Sequence, residues 1–538
     1  MAPSIKHLLF AGLLLSVTAT PAFAQAPAGA DPATLDPQAL AALIDRRLAE
    51  HWVGQGTRPG PRRLGLRAAR LPAPTVEPAP PCDDAAFLRR AYLDLSGRIP
   101  DLVKARDFLE NPDPAKRAKL IEQLLAQPRY GEHMANVWGV LLAPPSNDPM
   151  RQRPFNVEQW LMKEFDDNTP YDQLVRKILL AQPGDPQAGF FYQVNEFKPE
   201  NLAGATTRLF LGFKLECAQC HDHPMDHWTR KQFWEFAAFY AGSQPNVPPT
   251  GTQITIPGGA GKVVQARFPD GTVPNFRPGM TSPAVVVEWM TAPDNPYFAR
   301  AAVNRLWEYF FGIGIVDPVD ERSDKNQPSH PELLDDLARA FVAHRYDLKY
   351  LTRAIMLSQA YQRSSRMTHP SQSDPRLFAR MPVRGLSPEQ LFDSLEQATR
   401  YDPEPVSVDP QRPYRAPRFM SPARAEFLNR FPPGQDRRTE HQTSILQALY
   451  LMNGKLVASA TSLDENRQLR HIADDHKSKT SRKVTQLYLI VLSRKPRPDE
   501  LERLVPYVES GGPSGDSRQA VADIFWALLN SSEFALNH

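Results

Sequence analysis

The chain has only three cysteines among 538 residues, namely Cys82, Cys217 and Cys220. Small secreted scaffolds held together by several disulfides are much richer in cysteine, so this composition excludes that class. A chain of this length can instead bury two or three hydrophobic cores of ordinary size. Because two of the three thiols are only three positions apart, we expect their role to be chemical.

The chain also lacks an excess of either charge. Its 63 basic and 60 acidic side chains give a formal net charge of +3. Bulk electrostatic attraction to nucleic acid or to an anionic membrane needs a much larger imbalance. We therefore expect no nucleic-acid partner.

Long apolar runs are missing as well, and the one short run lies at the N-terminus. Lys6 precedes an apolar stretch over residues 8–17, and small residues end at Ala24 before Gln25. This order is typical of a secretory signal peptide, and the stretch is about half of the ~20 residues needed to span a bilayer. We expect cleavage near Ala24 and a periplasmic or secreted mature protein without a transmembrane segment.

Proline, by contrast, is abundant, with 54 residues that fall mainly between helical patterns. This distribution predicts a mainly α protein with two helical domains. A change to alternating apolar residues around residues 257–261 predicts a small β-hairpin in the segment that joins them. The expected divisions are a signal peptide (1–24), an N-terminal helix with a Pro-rich linker (25–82), a first helical domain (83–245), the β-hairpin connector (246–282) and a second helical domain (283–538).

Local signals predict where several helices begin. An N-cap residue followed by Pro, or by Gln or Glu three positions later, marks a first turn. The predicted starts are Asp36 with Pro37, Thr229 with Gln232, Ser329 with Pro331 and Glu332, and Ser387 with Gln390.

The run Cys217-Ala218-Gln219-Cys220-His221 has the spacing of a covalent haem c attachment motif. In such a motif Cys217 and Cys220 would form thioethers, and His221 would be the proximal iron ligand. Asp222 and His223 are then expected to lie in the second coordination shell, where His223 would orient His221 or bind a haem propionate. Export agrees with this hypothesis, because bacteria make these thioether bonds outside the cytoplasm.

Two other hypotheses remain for the same run. Cys217, Cys220, His223 and His227 could bind a zinc ion, although structural zinc sites usually take their second ligand pair from a separate element. The two thiols could also form a plain disulfide with no cofactor, which would leave Cys82 unpaired.

The surroundings of the run leave further questions open. A helix is predicted over Leu202–Leu215, ending at the run. Five aromatic residues of the next helix would line a haem crevice or pack in the core. They are Phe233, Trp234, Phe236, Phe239 and Tyr240. Candidates for a sixth iron ligand are Met225, His227, His133, Met134, His330 and His344. A filled sixth position favours electron transfer and an empty one favours activation of a small molecule.

Two other polar groups have simpler interpretations. Asn304 and Arg305 lie in an aromatic-rich helix, where buried polar anchoring is the expected role. Asp317, Asp320, Glu321 and Asp324 lack the spacing of a calcium loop and are expected to form a solvated acidic loop.

Several long motifs resemble a known pair of families. Residues 87–100 resemble the opening of the planctomycete cytochrome-associated domain of unknown function 1549, and Cys217 to Pro224 resembles its end. Residues 295–307 look like the start of its usual companion, domain of unknown function 1553. The similarity continues through residues 328–334, 447–454 and 526–531.

The resemblance implies a secreted protein of planctomycetes or related bacteria, grouped with cytochromes because of its Cys and His motif. Many relatives carry an additional N-terminal cytochrome c domain, whereas the first 80 residues here have no cysteine. Relatives are often encoded beside secreted sulfatase-like proteins, which suggests such a protein, or another periplasmic redox protein, as a partner.

The sequence thus supports two functional hypotheses. The leading one is an exported mono-haem c-type redox protein, either an electron-transfer component or a haem-dependent oxidoreductase. The alternative is a non-redox module that binds a metal, glycan or partner and uses the Cys and His cluster as a structural clasp.

Overall fold

The structure is a computed structural model that describes residues 31–54, 76–144, 155–181, 185, 187–224, 226–243, 250–323, 325–400, 422–430 and 454–538. The predicted signal peptide, most of the Pro-rich linker, Met225, Asp324 and residues 447–453 lie outside these ranges. No helix in the described ranges combines the length and the apolar character needed to cross a membrane.

Within the described ranges the fold is mainly α, as predicted, with two small antiparallel sheets. In the first half the helices are α1 (Pro37–Gly54), α2 (Asp84–Ser96), α3 (Leu102–Glu110), α4 (Lys116–Leu125), α5 (Pro128–Leu142), α6 (Phe155–Asp166), α7 (Tyr171–Leu179), α8 (Phe190–Val194), α9 (Pro199–Thr206) and α10 (Arg230–Ala237). Strands β1 (Gln253–Thr255) and β2 (Val263–Gln265) pair antiparallel with Ile254 opposite Val264, which confirms the predicted hairpin.

The second half continues the helical pattern. Its helices are α11 (Ser282–Met290), α12 (Phe298–Phe311), α13 (Pro331–Ala343), α14 (Leu348–Leu357), α15 (Gln359–Gln362), α16 (Pro388–Thr399), α17 (Pro422–Arg430), α18 (Lys455–Ala460), α19 (Arg467–Ala473), α20 (Thr480–Leu492), α21 (Pro498–Glu509), α22 (Ser517–Leu529) and α23 (Ser532–Ala535). The second sheet pairs β3 (Arg384–Gly385) with β4 (Leu536–Asn537) across a long stretch of sequence.

Three of the four predicted helix starts are confirmed. Asp36 accepts a hydrogen bond from the Ala39 amide at 2.8 Å, one residue before α1. Both predicted capping boxes, at α10 and α16, are formed.

The prediction for Ser329 is wrong by one residue. His330 is the N-cap of α13 and makes no side-chain capping bond. Ser329 is instead tied to the loop before the helix, because both its amide (2.8 Å) and its hydroxyl (3.1 Å) donate to the Ile315 carbonyl.

Among the residues that the structure describes, buried apolar side chains form two clusters that do not divide at the hairpin. The larger cluster extends from Leu35 to Met381 and also includes Leu489. The smaller extends from Leu386 to Phe534 and also includes Leu93 and Ile99. The hairpin segment therefore belongs to the larger core, and the packing changes between residues 381 and 386.

Helix α2 lies between these clusters and contains three buried charges. Arg89 donates to the Val491 carbonyl at 3.1 Å and to the Phe534 carbonyl at 2.7 Å. Arg90 donates to the carbonyls of Tyr361 and, at 3.1 Å, Arg363. These guanidinium groups thus bind backbone from the second half of the chain.

The third buried charge is the carboxylate of Asp94, which accepts hydrogen bonds from three distant side chains. Arg384 Nη2 lies 3.0 and 2.9 Å from its two oxygens. The Tyr361 hydroxyl donates at 2.8 Å and Asn537 Nδ2 at 2.9 Å. We call this group the Asp94 centre.

A second buried polar contact holds the end of α1. His51 lies in the last turn of this helix, and its ring centroid is 4.0 Å from that of His330. His330 is 2% exposed, and burial lowers its pKa to about 3. Burial also lowers the pKa of His51.

Replacing Asp94 with alanine should destabilise the fold strongly. The change leaves the buried Arg384 guanidinium without its carboxylate, and breaking one side of a buried ion pair costs about 3–5 kcal/mol. Chemical denaturation followed by circular dichroism measures the loss. The exposed Asp107, paired with its neighbour Arg106, provides the control, and Asp107→Ala should change stability by less than about 0.5 kcal/mol. Equal effects of the two changes would contradict the structure.

The His330 contact should make stability fall in acid. A histidine whose folded pKa is lowered contributes stability that is complete above its unfolded pKa of about 6.5 and is lost at lower pH. Because the pKa of His330 in the folded protein is about 3, stability should be lost progressively as the pH falls from about 6.5 to about 3. The melting temperature should therefore fall less steeply from pH 6.5 to 4 in His330→Asn than in the wild type. As a control, His471→Asn replaces an exposed histidine and should leave the pH dependence of the melting temperature as in the wild type. The same pH dependence in His330→Asn and the wild type would refute the role of His330 in acid destabilisation.

Candidate cofactor-attachment site

The Cys and His run lies beyond the end of a helix that stops earlier than predicted. Helix α9 continues as a π-helical turn over Thr207–Leu211, and the chain then reverses at Gly212, whose φ is +77°. A side chain at Gly212 would be strained at this φ and would press on Ala301. The predicted continuous helix over Leu202–Leu215 is therefore wrong in its last part, and Cys217 lies in a separate 3₁₀ turn over Leu215–Ala218.

The two thiols of the run lie at the surface. Cys217 and Cys220 are exposed and free, whereas Cys82 is buried and free. His221 is exposed too. The two sulfurs and the imidazole are thus accessible to a large group arriving from solvent.

The loop that carries the thiols, residues 216–223, is hydrogen-bonded to the start of α10; we call it the attachment loop. The Gln219 carbonyl accepts from Trp234 Nε1 at 3.1 Å and from Arg230 Nε at 3.2 Å. The Asp222 carboxylate accepts from the Arg230 amide at 2.8 Å. Asp222 therefore holds the loop on the helix N-terminus through its side chain.

The His221 ring is oriented by a backbone group. Its Nδ1 lies 2.7 Å from the Asp222 carbonyl oxygen. Since a carbonyl can only accept, Nδ1 carries the proton in this contact and Nε2 keeps its lone pair. Histidines that bind metals use this arrangement, in which the second nitrogen donates to a carbonyl or carboxylate. In this contact the Asp222 backbone carbonyl, and not its carboxylate, orients the His221 ring.

The other histidines of the run make separate contacts. The His223 amide donates to the Trp228 carbonyl at 2.8 Å. His227 Nδ1 lies 2.8 Å from the Asp226 carboxylate, and the His227 ring lies against Trp228. Over the described residues, no three or more His, Cys, Asp or Glu side chains are placed to hold a metal ion.

The surroundings of Cys217 disfavour a negative charge on its sulfur. Glu216 is half-buried, and its partial desolvation raises the pKa of its carboxyl; its Oε2 has no hydrogen-bond partner, while its Oε1 lies 3.6 Å from Arg208 Nε. Partial desolvation, with a further effect from Glu216, raises the pKa of the Cys217 thiol. Cys217 therefore stays a neutral thiol at pH 7, whereas nucleophilic and metal-binding cysteines act as thiolates.

Residues from the second half of the chain bind the segment that precedes the thiols, residues 208–214. Arg305 donates to the Arg208 carbonyl at 3.2 Å, and the Arg322 amide donates to the Gly212 carbonyl at 3.2 Å. Lys214 forms an ion pair with Glu321 at 2.7 Å.

The polar residues singled out in this half act as anchors. Asn304 binds both the amide and the carbonyl of Val316 at 2.9 Å, which confirms the predicted anchoring role. Asp320 pairs with the buried Arg305 guanidinium. The acidic loop is thus partly bound to the protein through Asp320 and Glu321 and is not simply solvated.

The remaining candidate ligands have contacts of their own elsewhere. His133 Nε2 lies 2.7 Å from the Tyr309 hydroxyl, and His344 stacks on Tyr350 with centroids 3.7 Å apart. His330 pairs with His51.

The five aromatic residues predicted on the helix after the run lie in the core, three of them in α10 and the last two in the 3₁₀ turn over Ala238–Ser243. Phe233, Trp234, Phe236, Phe239 and Tyr240 are all buried. Core packing is therefore the role that the structure gives them. The Trp234 indole in addition reaches the attachment loop through its hydrogen bond to Gln219.

Removing the indole donor should loosen the attachment loop. Trp234→Phe keeps an aromatic ring but deletes the bond to the Gln219 carbonyl, a loss of about 1 kcal/mol that corresponds to about five-fold faster local opening. Hydrogen exchange measured by mass spectrometry should show faster exchange over residues 216–223. Trp526, which is 39% exposed, provides the control, and Trp526→Phe should leave that peptide unchanged. Unchanged exchange in Trp234→Phe would contradict this anchoring.

Comparison with known proteins gives two family matches. Residues 66–245 match PSCyt2, described as Protein of unknown function (DUF1549). Residues 284–508 match PSD1, described as Protein of unknown function (DUF1553). No curated protein and no solved structure matches the chain significantly. The chain therefore combines a match to DUF1549 in its N-terminal half with a match to DUF1553 in its C-terminal half.

Proposed function

We propose that this chain is an exported mono-haem c-type redox protein that exchanges electrons with another protein outside the cytoplasm. The observation that carries the proposal is the attachment loop itself. Two free, exposed thiols and an exposed imidazole occur within five residues, and the imidazole keeps Nε2 available for iron. Haem c, when bound, would supply a one-electron iron couple.

The groups present fit a covalently attached haem. Each thiol, at Cys217 and Cys220, would add across one vinyl group, so that sulfur bonds one carbon and the thiol hydrogen moves to the other. Thioether sulfur carries no charge, so the acidic, partly desolvated setting of Cys217 does not oppose this product. His221 would provide the axial nitrogen through Nε2, with Nδ1 held by the Asp222 carbonyl.

Exposure of the loop favours electron transfer over catalysis on a small substrate. Activation of a small molecule needs a protected distal pocket with placed polar groups. The cavity beside Asp94 and the cavity beside Tyr192 are not lined by Cys217, Cys220 or His221. A cofactor edge open to solvent can instead approach the cofactor of a second protein. The predicted signal peptide agrees with a site of action in the periplasm or outside the cell.

The test is production of the full chain with its signal peptide in a bacterium that contains a cytochrome c maturation system. The purified protein should keep a porphyrin after denaturation, with the mass of one haem on the peptide that contains the run. Cys217→Ala with Cys220→Ala should abolish this retention. Cys82→Ala is the matched control and should retain it, because Cys82 is buried away from the run.

Replacement of the histidine separates attachment from ligation. His221→Ala should keep the covalent porphyrin but lose the low-spin iron spectrum, because the thioethers remain and the axial nitrogen is gone. Absence of covalently retained porphyrin in the wild type would refute the proposal. Stoichiometric zinc in its place would support a structural clasp.

A further inference from the structure

The connection between α19 and α20 carries a local excess of positive charge. Residues 476–483 have the sequence His-Lys-Ser-Lys-Thr-Ser-Arg-Lys, with four basic side chains and no carboxylate. These eight positions carry a charge of +4, whereas the other 530 residues together carry −1. The near-neutrality of the whole chain therefore conceals one cationic segment, and we call residues 476–483 the basic patch.

Three cations of the basic patch face solvent. Lys477, Lys479 and Arg482 are exposed, and none of them forms an ion pair or a side-chain hydrogen bond with another residue that the structure describes. Lys483 is half-buried, and its Nζ donates to the Ala473 carbonyl at 2.7 Å. The patch thus presents three positive charges that are close together in the chain and are available to a partner.

Two carboxylates precede the patch, and both have partners of their own. The Asp475 carboxylate accepts hydrogen bonds from the amides of Lys477 at 3.1 Å and Ser478 at 3.2 Å, and from the Ser478 hydroxyl at 2.6 Å. Asp474 forms an ion pair with Arg518 of α22 at 2.6 Å. Asp475 therefore fixes the backbone that carries the lysines, and Asp474 ties the same turn to a neighbouring helix.

The position of these cations does not serve the stability of α20. Lys479 is the N-cap of this helix and makes no side-chain capping bond, and the first turn contains no acidic residue. Arg482 and Lys483 follow within the same turn. The N-terminus of a helix has a partial positive charge, so that cations destabilise it and anions stabilise it. A segment that opposes local stability in this way is expected where a function requires it.

The surface around the patch offers charge without apolar anchors. Cores of protein interfaces are rich in aromatic and other apolar side chains and depleted of lysine, and helices that lie on membranes insert an apolar face. None of the large apolar side chains that the structure shows as exposed lies within residues 467–498. This composition disfavours both a protein partner and a membrane, and it favours a hydrated polyanion.

We propose that the basic patch is a docking surface for an acidic polysaccharide, whose sulfate or carboxylate groups contact Lys477, Lys479 and Arg482 together. A linear polyanion meets several cations at once, and release of its counterions favours binding. Basic stretches of five to eight residues are typical of sites for heparin and for nucleic acids. The predicted export favours the polysaccharide, because nucleic acids are largely confined to the cytoplasm. The proposal is independent of haem attachment.

The first test measures binding of the full exported chain to immobilised polysaccharides by biolayer interferometry. Sulfated heparin or carboxylated polygalacturonate should bind saturably, and either result supports the proposal and identifies the group recognised. Raising the salt from about 50 to 200 mM should weaken this binding about ten-fold or more, as expected for three ionic contacts. No saturable binding of either polymer, or equally strong binding of neutral dextran, would overturn the proposal. Tighter binding to a DNA duplex or to phosphatidylglycerol vesicles than to both polymers would also overturn it.

Matched variants locate the binding. The triple variant Lys477→Gln, Lys479→Gln and Arg482→Gln should bind the positive probe at least about ten-fold more weakly than the wild type. The control replaces three other exposed cations and changes the net charge equally, with Lys262→Gln, Lys325→Gln and Arg366→Gln. It should lose less than about two-fold in affinity, because long-range attraction between exposed charges is screened by salt. Circular dichroism of both variants verifies folding. Equal losses in the two variants would show that net charge alone drives binding and would refute the site.

Discussion

The carboxylate of Asp94 is the interaction on which the arrangement of the two halves depends. It is 1% exposed, and donors from residues 361, 384 and 537 converge on it. A buried ion pair adds little net stability over an apolar core, but it penalises strongly any packing that breaks it. The Asp94 centre therefore specifies how the halves meet. Arg89 and Arg90 on the same helix extend this constraint to the backbone of the second half.

Local features of the fold were predictable from sequence, whereas the connections between distant parts were not. The starts of α1, α10 and α16 and the β-hairpin follow from residues within a few positions of one another. Arg89, Arg90 and Asp94 lie in the motif of residues 87–100, by which the sequence resembles a known family. Their hydrogen-bond partners, however, are hundreds of residues away. Spacing rules contain no information about such pairs.

The same limit applies to the attachment site. The spacing of Cys217, Cys220 and His221 identifies the candidate chemistry, and the surface position of the thiols could not be derived from it. The break after Leu211 had a local signal in Gly212, but the helical pattern on both sides hid it. The bracing of residues 208–214 by Arg305, Arg322 and Glu321 required the tertiary structure. The DUF1553 half thus supports the loop that bears the chemistry in the DUF1549 half.

The position of Asn537 has a consequence for biosynthesis. It completes the Asp94 centre from 443 residues further along the chain. At the usual elongation rates of about 5–20 residues per second, this interval corresponds to roughly 20 to 90 seconds of translation. Until then the carboxylate of α2 lacks one of its three side-chain donors, so the nascent N-terminal half cannot complete the Asp94 centre.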